Sequence, residues 1–187
     1  YALTQFEPTS ARRAYPGWDE PAYKANFTFR MLHRVNTTAL ANMPSAYERS
    51  VDKEEVRQLL QTRSSGLSLH QYNLDEWLLT EFETTPKMAT YLVAWANGAF
   101  LHVSNTTISP LTGRVIPLRM YTTPDLIHQA AFSTEAMAKI LPEYEKVFDI
   151  AYPLPKLDAL VAADFDFGAM ENWGLITGRS SIFMHDL

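Results

Sequence analysis

Five histidines, at positions 33, 70, 102, 128 and 185, are the residues best suited to ligate a metal in this cysteine-free chain of 187 residues. No two of them stand four apart, the spacing that puts both rings on one helix face, and none is followed by Glu as in H-E-x-x-H. A complete zinc site within the chain is therefore not expected. Nor is there a Gly-x-Ser-x-Gly elbow, a P-loop or a dinucleotide fingerprint. Without cysteine, disulfides, thiolate ligands and thiol nucleophiles are excluded. What remains is carboxylate and backbone chemistry. Near the C-terminus stands Gly168-Ala169-Met170-Glu171-Asn172, followed by Trp173-Gly174. From average residue usage, that pentapeptide arises by chance in roughly one chain of this length in ten thousand. Taken singly its residues have ordinary readings: Glu171 a capping or salt-bridged carboxylate, Met170 a core residue, Gly168 a turn.

At the other end, Thr4-Gln5-Phe6-Glu7-Pro8 leads into Ala11-Arg12-Arg13-Ala14-Tyr15-Pro16 and Asp19-Glu20-Pro21. Two further segments lie between, Phe82-Glu83-Thr84-Thr85-Pro86-Lys87-Met88 and Tyr152-Pro153-Leu154-Pro155-Lys156-Leu157-Asp158. In order and spacing these blocks resemble the zinc aminopeptidases of the alanyl and puromycin-sensitive type. The resemblance covers nearly the whole chain, except an insertion near residues 45–75. Two departures stand out: Gly17-Trp18 where the family usually has Cys, and Gly178-Arg179-Ser180 where it often has Tyr-Arg-Glu.

The resemblance implies roles. Glu7 and Glu171 would converge on the free α-amino group of a peptide, with Gln5 nearby. An ammonium has three donors and a full charge, which two carboxylates and an amide oxygen can satisfy. Gly168 and Ala169 would pair their backbone with an extended substrate, their small side chains allowing close approach. Met170 would line the pocket for the first side chain, its thioether tolerating several residue types. Asn172 completes the substrate-binding segment. Held at a fixed distance from the zinc, such a grip makes an exopeptidase. The zinc ligands of the H-E-x-x-H helix, the general-base Glu and the transition-state Tyr would all lie beyond Leu187. No catalytic or metal-binding residue is therefore expected within the chain, and the chain alone is expected to be inactive. Arg12, Arg13, Asp19 and Glu20 read as a structural ion-pair network. The whole protein would be a one-zinc aminopeptidase acting on peptides with a free N-terminus. A non-catalytic module that binds peptide N-termini, or a structural or interaction fragment, are the alternatives.

Composition narrows the other classes. A net charge of −5 gives no footprint for nucleic acid, and no basic amphipathic or transmembrane stretch is visible. With 47% hydrophobic residues the chain can bury a sizeable core. It opens on Tyr1-Ala2-Leu3-Thr4 and reads as the interior of a longer protein. Freedom from cysteine fits a cytoplasmic compartment, with a secreted or membrane-anchored ectoenzyme as the alternative. The sequons at Asn26, Asn36 and Asn105 would matter only in the latter.

The elements that must position these residues read mostly as strands. Ala25 to Met31 alternates, and Trp77 to Phe82, Met88 to Trp95 and Val115 to Tyr121 are apolar or alternating runs. Thr85-Pro86, Asn97-Gly98 and Thr112-Gly113 read as turns between them. A short helix is expected within Ser50 to Leu69, ending near Ser64-Ser65-Gly66, in a polar insertion expected to be poorly ordered. From Leu126 to Phe148 the spacing is helical, with Asp125 as cap and Pro142 demanding a kink or two helices. A strand from Ala159 to Ala163 then leads to the pentapeptide. The expected fold is mainly β with an α/β C-terminal part. Residues 1–122 would form a β-sandwich or saddle-like N-terminal domain, incomplete at its start. Residues 123–187 would open a thermolysin-like catalytic domain.

Overall fold

The computed structural model describes residues 1–61, 76–162, 165 and 167–184. Strands dominate, as expected, and helix is concentrated after residue 123. Two small antiparallel sheets form the N-terminal part. In one, β6 (Trp95–Gly98) lies between β1 (Ala2–Leu3) and β3 (Thr38–Ala41). In the other, β5 (Trp77–Phe82) lies between β2 (Arg30–Arg34) and β4 (Ser45–Val51). The C-terminal part is a five-stranded mixed sheet. Its order is β10 (Ala169–Met170), β11 (Leu175–Gly178), β9 (Leu157–Val161), β8 (Val115–Thr122), β7 (Leu101–Ile108). Strands β11, β9 and β8 run parallel, and both edges are antiparallel.

Residue pattern accounts for this layering. In β8 Ile116, Leu118 and Met120 alternate with more open positions and are wholly buried. The α2 helix (Ala130–Phe148) covers that face, setting Met137, Ala138 and Leu141 on Ile116, Leu118 and Leu157. Each such aliphatic side chain contributes about 1.5–3 kcal/mol by leaving water. Strand β9 is buried at all five positions, the near-continuous apolar run of a central parallel strand. Pro142 lies within α2, which continues through it as one helix. Asp125 does not cap it. It sits in a 3-10 turn, Pro124–Gln129, and Gln129 takes the N-cap position without a side-chain bond.

Other expectations shift. Met88 to Trp95 is not a strand but a 3-10 turn (Thr90–Leu92) ahead of β6. Its apolar residues are packed on several sides, with Met88, Ala89, Val93 and Ala94 all buried, so they carry no strand alternation. Asn97-Gly98 is the end of β6 rather than a turn; a Cβ on Gly98 would collide with the Tyr1 and Phe100 side chains. The Ala25 to Met31 run becomes regular strand only at Arg30, although Phe27 and Phe29 already accept backbone bonds from Thr85 and Phe82. The helix of the insertion is α1 (Lys53–Gln61), started by Asp52, whose carboxylate accepts the Glu55 N–H at 2.8 Å. Its expected end and the order of residues 62–75 lie outside the described residues. The expected division at residue 123 does not fall between sheets, because β7 and β8 precede it yet belong to the sheet of β9 and β11, with β7 paired to β8 and β8 to β9.

Candidate functional site

Packing brings the two ends of the chain together. Phe6 is buried against Trp95 and Tyr15, with ring centroids 5.1 and 6.0 Å away. The cluster built on Phe6, Ala11, Met88 and Val93 takes in Trp173 from the C-terminal segment. A second cluster, of Ala162, Phe165 and Met170, takes in Leu3. Gln5 and Glu7 flank Phe6, while Glu171 lies between Met170 and Trp173. Both acidic blocks are thus carried on shared cores.

Several side-chain oxygens in the two blocks lack partners. Glu7 and Glu171 are exposed, and among the described residues neither carboxylate has a hydrogen bond or ion pair. Gln5 is half-buried, and its Oε1 is buried with no donor in reach. Asn172 is 1% exposed; its Nδ2 donates to Thr177 Oγ1 at 3.0 Å, and its Oδ1 has no partner. Ala169 and Met170 form the edge strand β10, so one side of their backbone is unpaired. Gly168 is exposed, and its carbonyl accepts the Arg179 N–H at 2.9 Å. The Met170 side chain is fully buried in its cluster, so it meets the core and not an open pocket. Glu171 also lies on the wall of an apolar cleft of about 280 Å³ between α2 and the sheet, with Ile140, Tyr144 and Trp173.

The loop carrying Glu171 is held from behind. Asn42, buried at the end of β3, donates Nδ2 to Trp173 O and Leu92 O, both at 2.8 Å, and accepts the Ala94 N–H on Oδ1. Lys156, 3% exposed, donates to Gly174 O at 2.7 Å, Ala41 O at 2.8 Å and Asp158 Oδ2 at 2.9 Å. Arg119 grips Asp158 with two bonds of 2.7 and 3.0 Å. Burial pushes the Lys156 ammonium below the ordinary lysine pKa, while Asp158 pulls the other way. Gly174 adopts φ +79°, and a Cβ there would collide with the Asn42 carbonyl, so this position requires glycine. Neither Asn42 nor Lys156 stood out as a site residue in the sequence. The available signal was a Lys just ahead of an apolar strand, two positions before the strand's Asp158.

Of the ion-pair network read into the first block, Arg12, Asp19 and Glu20 are joined, whereas Arg13 is exposed and makes no ion pair among the described residues. Asp19, 3% exposed, accepts the Arg12 N–H at 3.1 Å and the Thr90 hydroxyl at 2.5 Å, and Arg12 also pairs with Glu20. Burial pushes the Asp19 pKa up, but these hydrogen bonds and the Arg12 charge outweigh it and hold the carboxyl below its usual value. The described histidines do not gather. His33 is buried on Thr80, Arg34 and Thr37, and His102 and His128 are exposed; His70 and His185 lie outside the described residues. Among the described residues no three His, Asp or Glu could together hold a metal. They do not supply a zinc-ligand set.

The mixed five-stranded sheet is thus backed by one long helix and ends on an unpaired edge strand, with the exposed Glu171 directly after it. The chain belongs to peptidase family M1. The sequence profile described as Peptidase M1 N-terminal domain matches residues 1–92, and that described as Peptidase family M1 domain matches residues 132–187. The chain is 40% identical over 185 residues to endoplasmic reticulum aminopeptidase 2 of Bos taurus, and 39% over 186 to endoplasmic reticulum aminopeptidase 1 of Mus musculus. It is 35% identical over 185 residues to glutamyl aminopeptidase of Bos taurus. In each case 99% of this chain is covered, but only 16–17% of the relative's length.

Proposed function

We propose that this chain forms the amine-recognition wall of a zinc-dependent aminopeptidase. Glu171 and Glu7 supply two carboxylates, and Gln5 Oε1 a neutral acceptor, to the three donors of a peptide's α-ammonium. The observation that carries the reading is the set of unpartnered acceptors, two free carboxylates and one buried amide oxygen, mounted on two blocks that share their cores. An extended peptide then pairs its backbone with the open edge at Gly168 and Ala169. Asn172 holds Glu171 from within, and Met170 contributes its backbone while its side chain anchors the strand. The zinc ion belongs to the whole protein, where it would supply the activated water; this chain binds and orients, and by itself does not hydrolyse. The division between its two parts is best placed near Phe100, where the five-stranded sheet begins. Relatives named for the endoplasmic reticulum argue for a secretory compartment over a cytoplasmic one, and no described helix is long and apolar enough to cross a membrane.

The test uses Glu171→Gln and Glu7→Gln, which keep shape and remove charge. Each is expected to weaken binding of a free-amine peptide by about 10–100-fold, since a hydrogen bond to a charged group contributes about 1.5–3 kcal/mol. Titration calorimetry reads this directly. Unchanged affinity in both variants would sink the reading.

A further inference from the structure

We propose that Lys156, together with Asn42, is a positioning residue for the amine grip: the two side chains hold the backbone behind Glu171 and so fix where its carboxylate stands. This rests on the function proposed above, but the geometry behind it is independent of any ligand.

Three consecutive residues after Glu171 are each tied by a different buried group. Asn172 is bonded to Thr177, Trp173 O to Asn42, and Gly174 O to Lys156. Gly174 O also accepts the Asp158 N–H at 3.1 Å, so the same carbonyl is fixed by strand β9 and by the ammonium. Lys156 uses all three of its donors, on Ala41, Gly174 and Asp158. None is left for a ligand, which makes its role one of holding rather than touching. Its charge is anchored in turn, because Asp158 is clamped by Arg119. Asn42 is equally committed, and its contacts reach the other half of the grip. Through Leu92 O and the Ala94 N–H it ties down the turn whose Leu92 and Val93 pack in the Phe6 cluster, between Gln5 and Glu7.

A carboxylate on an exposed side chain gains precision only from its backbone, since its own rotamer is free. Without the Lys156 bonds, the carbonyls of Ala41 and Gly174 lose a buried donor and the loop can relax away from β3. A misplacement of about 1 Å in a recognition group can cost roughly 10²-fold. The effect should therefore appear in selectivity for the amine before it appears in folding.

The experiment compares the full chain with Lys156→Met and Asn42→Asp. The latter keeps the acceptor for Ala94 N–H and removes both donated bonds. Two readouts are taken: the affinity ratio for a leucyl tetrapeptide over its N-acetylated twin, and amide hydrogen exchange. The ratio is expected to fall about tenfold in each variant. Exchange is expected to accelerate at Leu175 and Asp158, whose N–H groups close the loop, while Phe82 in β5 keeps its protection. Equal loss of both peptides, or exchange that rises equally at Phe82, would show a purely structural role and overturn the proposal. An unchanged ratio would overturn it as well. If the wild-type chain fails to discriminate, the amine grip itself falls, positioning for it falls with it, and local exchange then reports only whether the loop is clamped.

Discussion

Glu171 and Glu7 carry the account at the scale of single residues, and their chemistry fixes a pH dependence. A free α-amino group has a pKa of about 7.7–8.0. On the proposed reading, two carboxylates facing it would favour its charged form and raise its pKa in the complex. Binding is then at full strength below the free pKa and weakens as pH climbs above it, toward the raised value. Affinity for a free-amine peptide is expected to fall steadily above about pH 8, measured by calorimetry in buffers of matched ionic strength. A flat profile to about pH 10 would contradict ammonium recognition. At this scale the sequence was informative where residue type alone decides. Glu171 and Glu7 were named from their blocks, and both prove exposed and unpartnered. Met170 and Asn172 were named from the same segment, yet their side chains are buried. Burial depends on what packs from elsewhere, here Leu3 and Thr177, and no local pattern records it.

Elements set where those residues stand, and the first block depends on a buried carboxylate. Asp19 ties the Ala11–Arg13 turn to Thr90, which lies beside the Phe6 cluster. Asp19→Ala is expected to cost about 1.5–3 kcal/mol, the range for hydrogen bonds to a charged group. Because its folded pKa lies below the unfolded value, Asp19 contributes stability above about pH 3.9 and loses it as pH falls through the folded pKa. Denaturant unfolding at pH 7 should show the loss, and the gap between wild type and variant should shrink in acid. A difference within experimental error at pH 7 would refute the network's structural weight. Strands β5 and β8 were legible because each is an apolar or alternating run bounded by turn residues. Strand β7 was not, since Ser104, Asn105 and Thr106 are exposed polar residues and give it the composition of a loop. The 88–95 run failed the other way. Its residues are apolar because loops and sheets close over them, so composition mimicked a strand.

Across the whole molecule, the sheet spanning residues 101–178 carries the C-terminal part, and Lys156 and Asn42 join it to the N-terminal sheets. The Lys-x-Asp spacing hinted at Lys156, but the joint's partners could not be read from the sequence because they are the backbone carbonyls of Ala41 and Gly174, far apart in the chain. The expected boundary at residue 123 followed the change from strand to helix periodicity, whereas the sheet ignores that change and recruits β7 and β8 from before it. The most direct measurement of the central claim needs no variant. The intact chain is titrated at pH 7 with a leucyl tetrapeptide and with the same peptide acetylated at its N-terminus. Acetylation removes the charge and two donors, so the free-amine peptide is expected to bind at least about tenfold more tightly. Equal affinity for the two peptides, or preference for the acetylated one, would contradict the account.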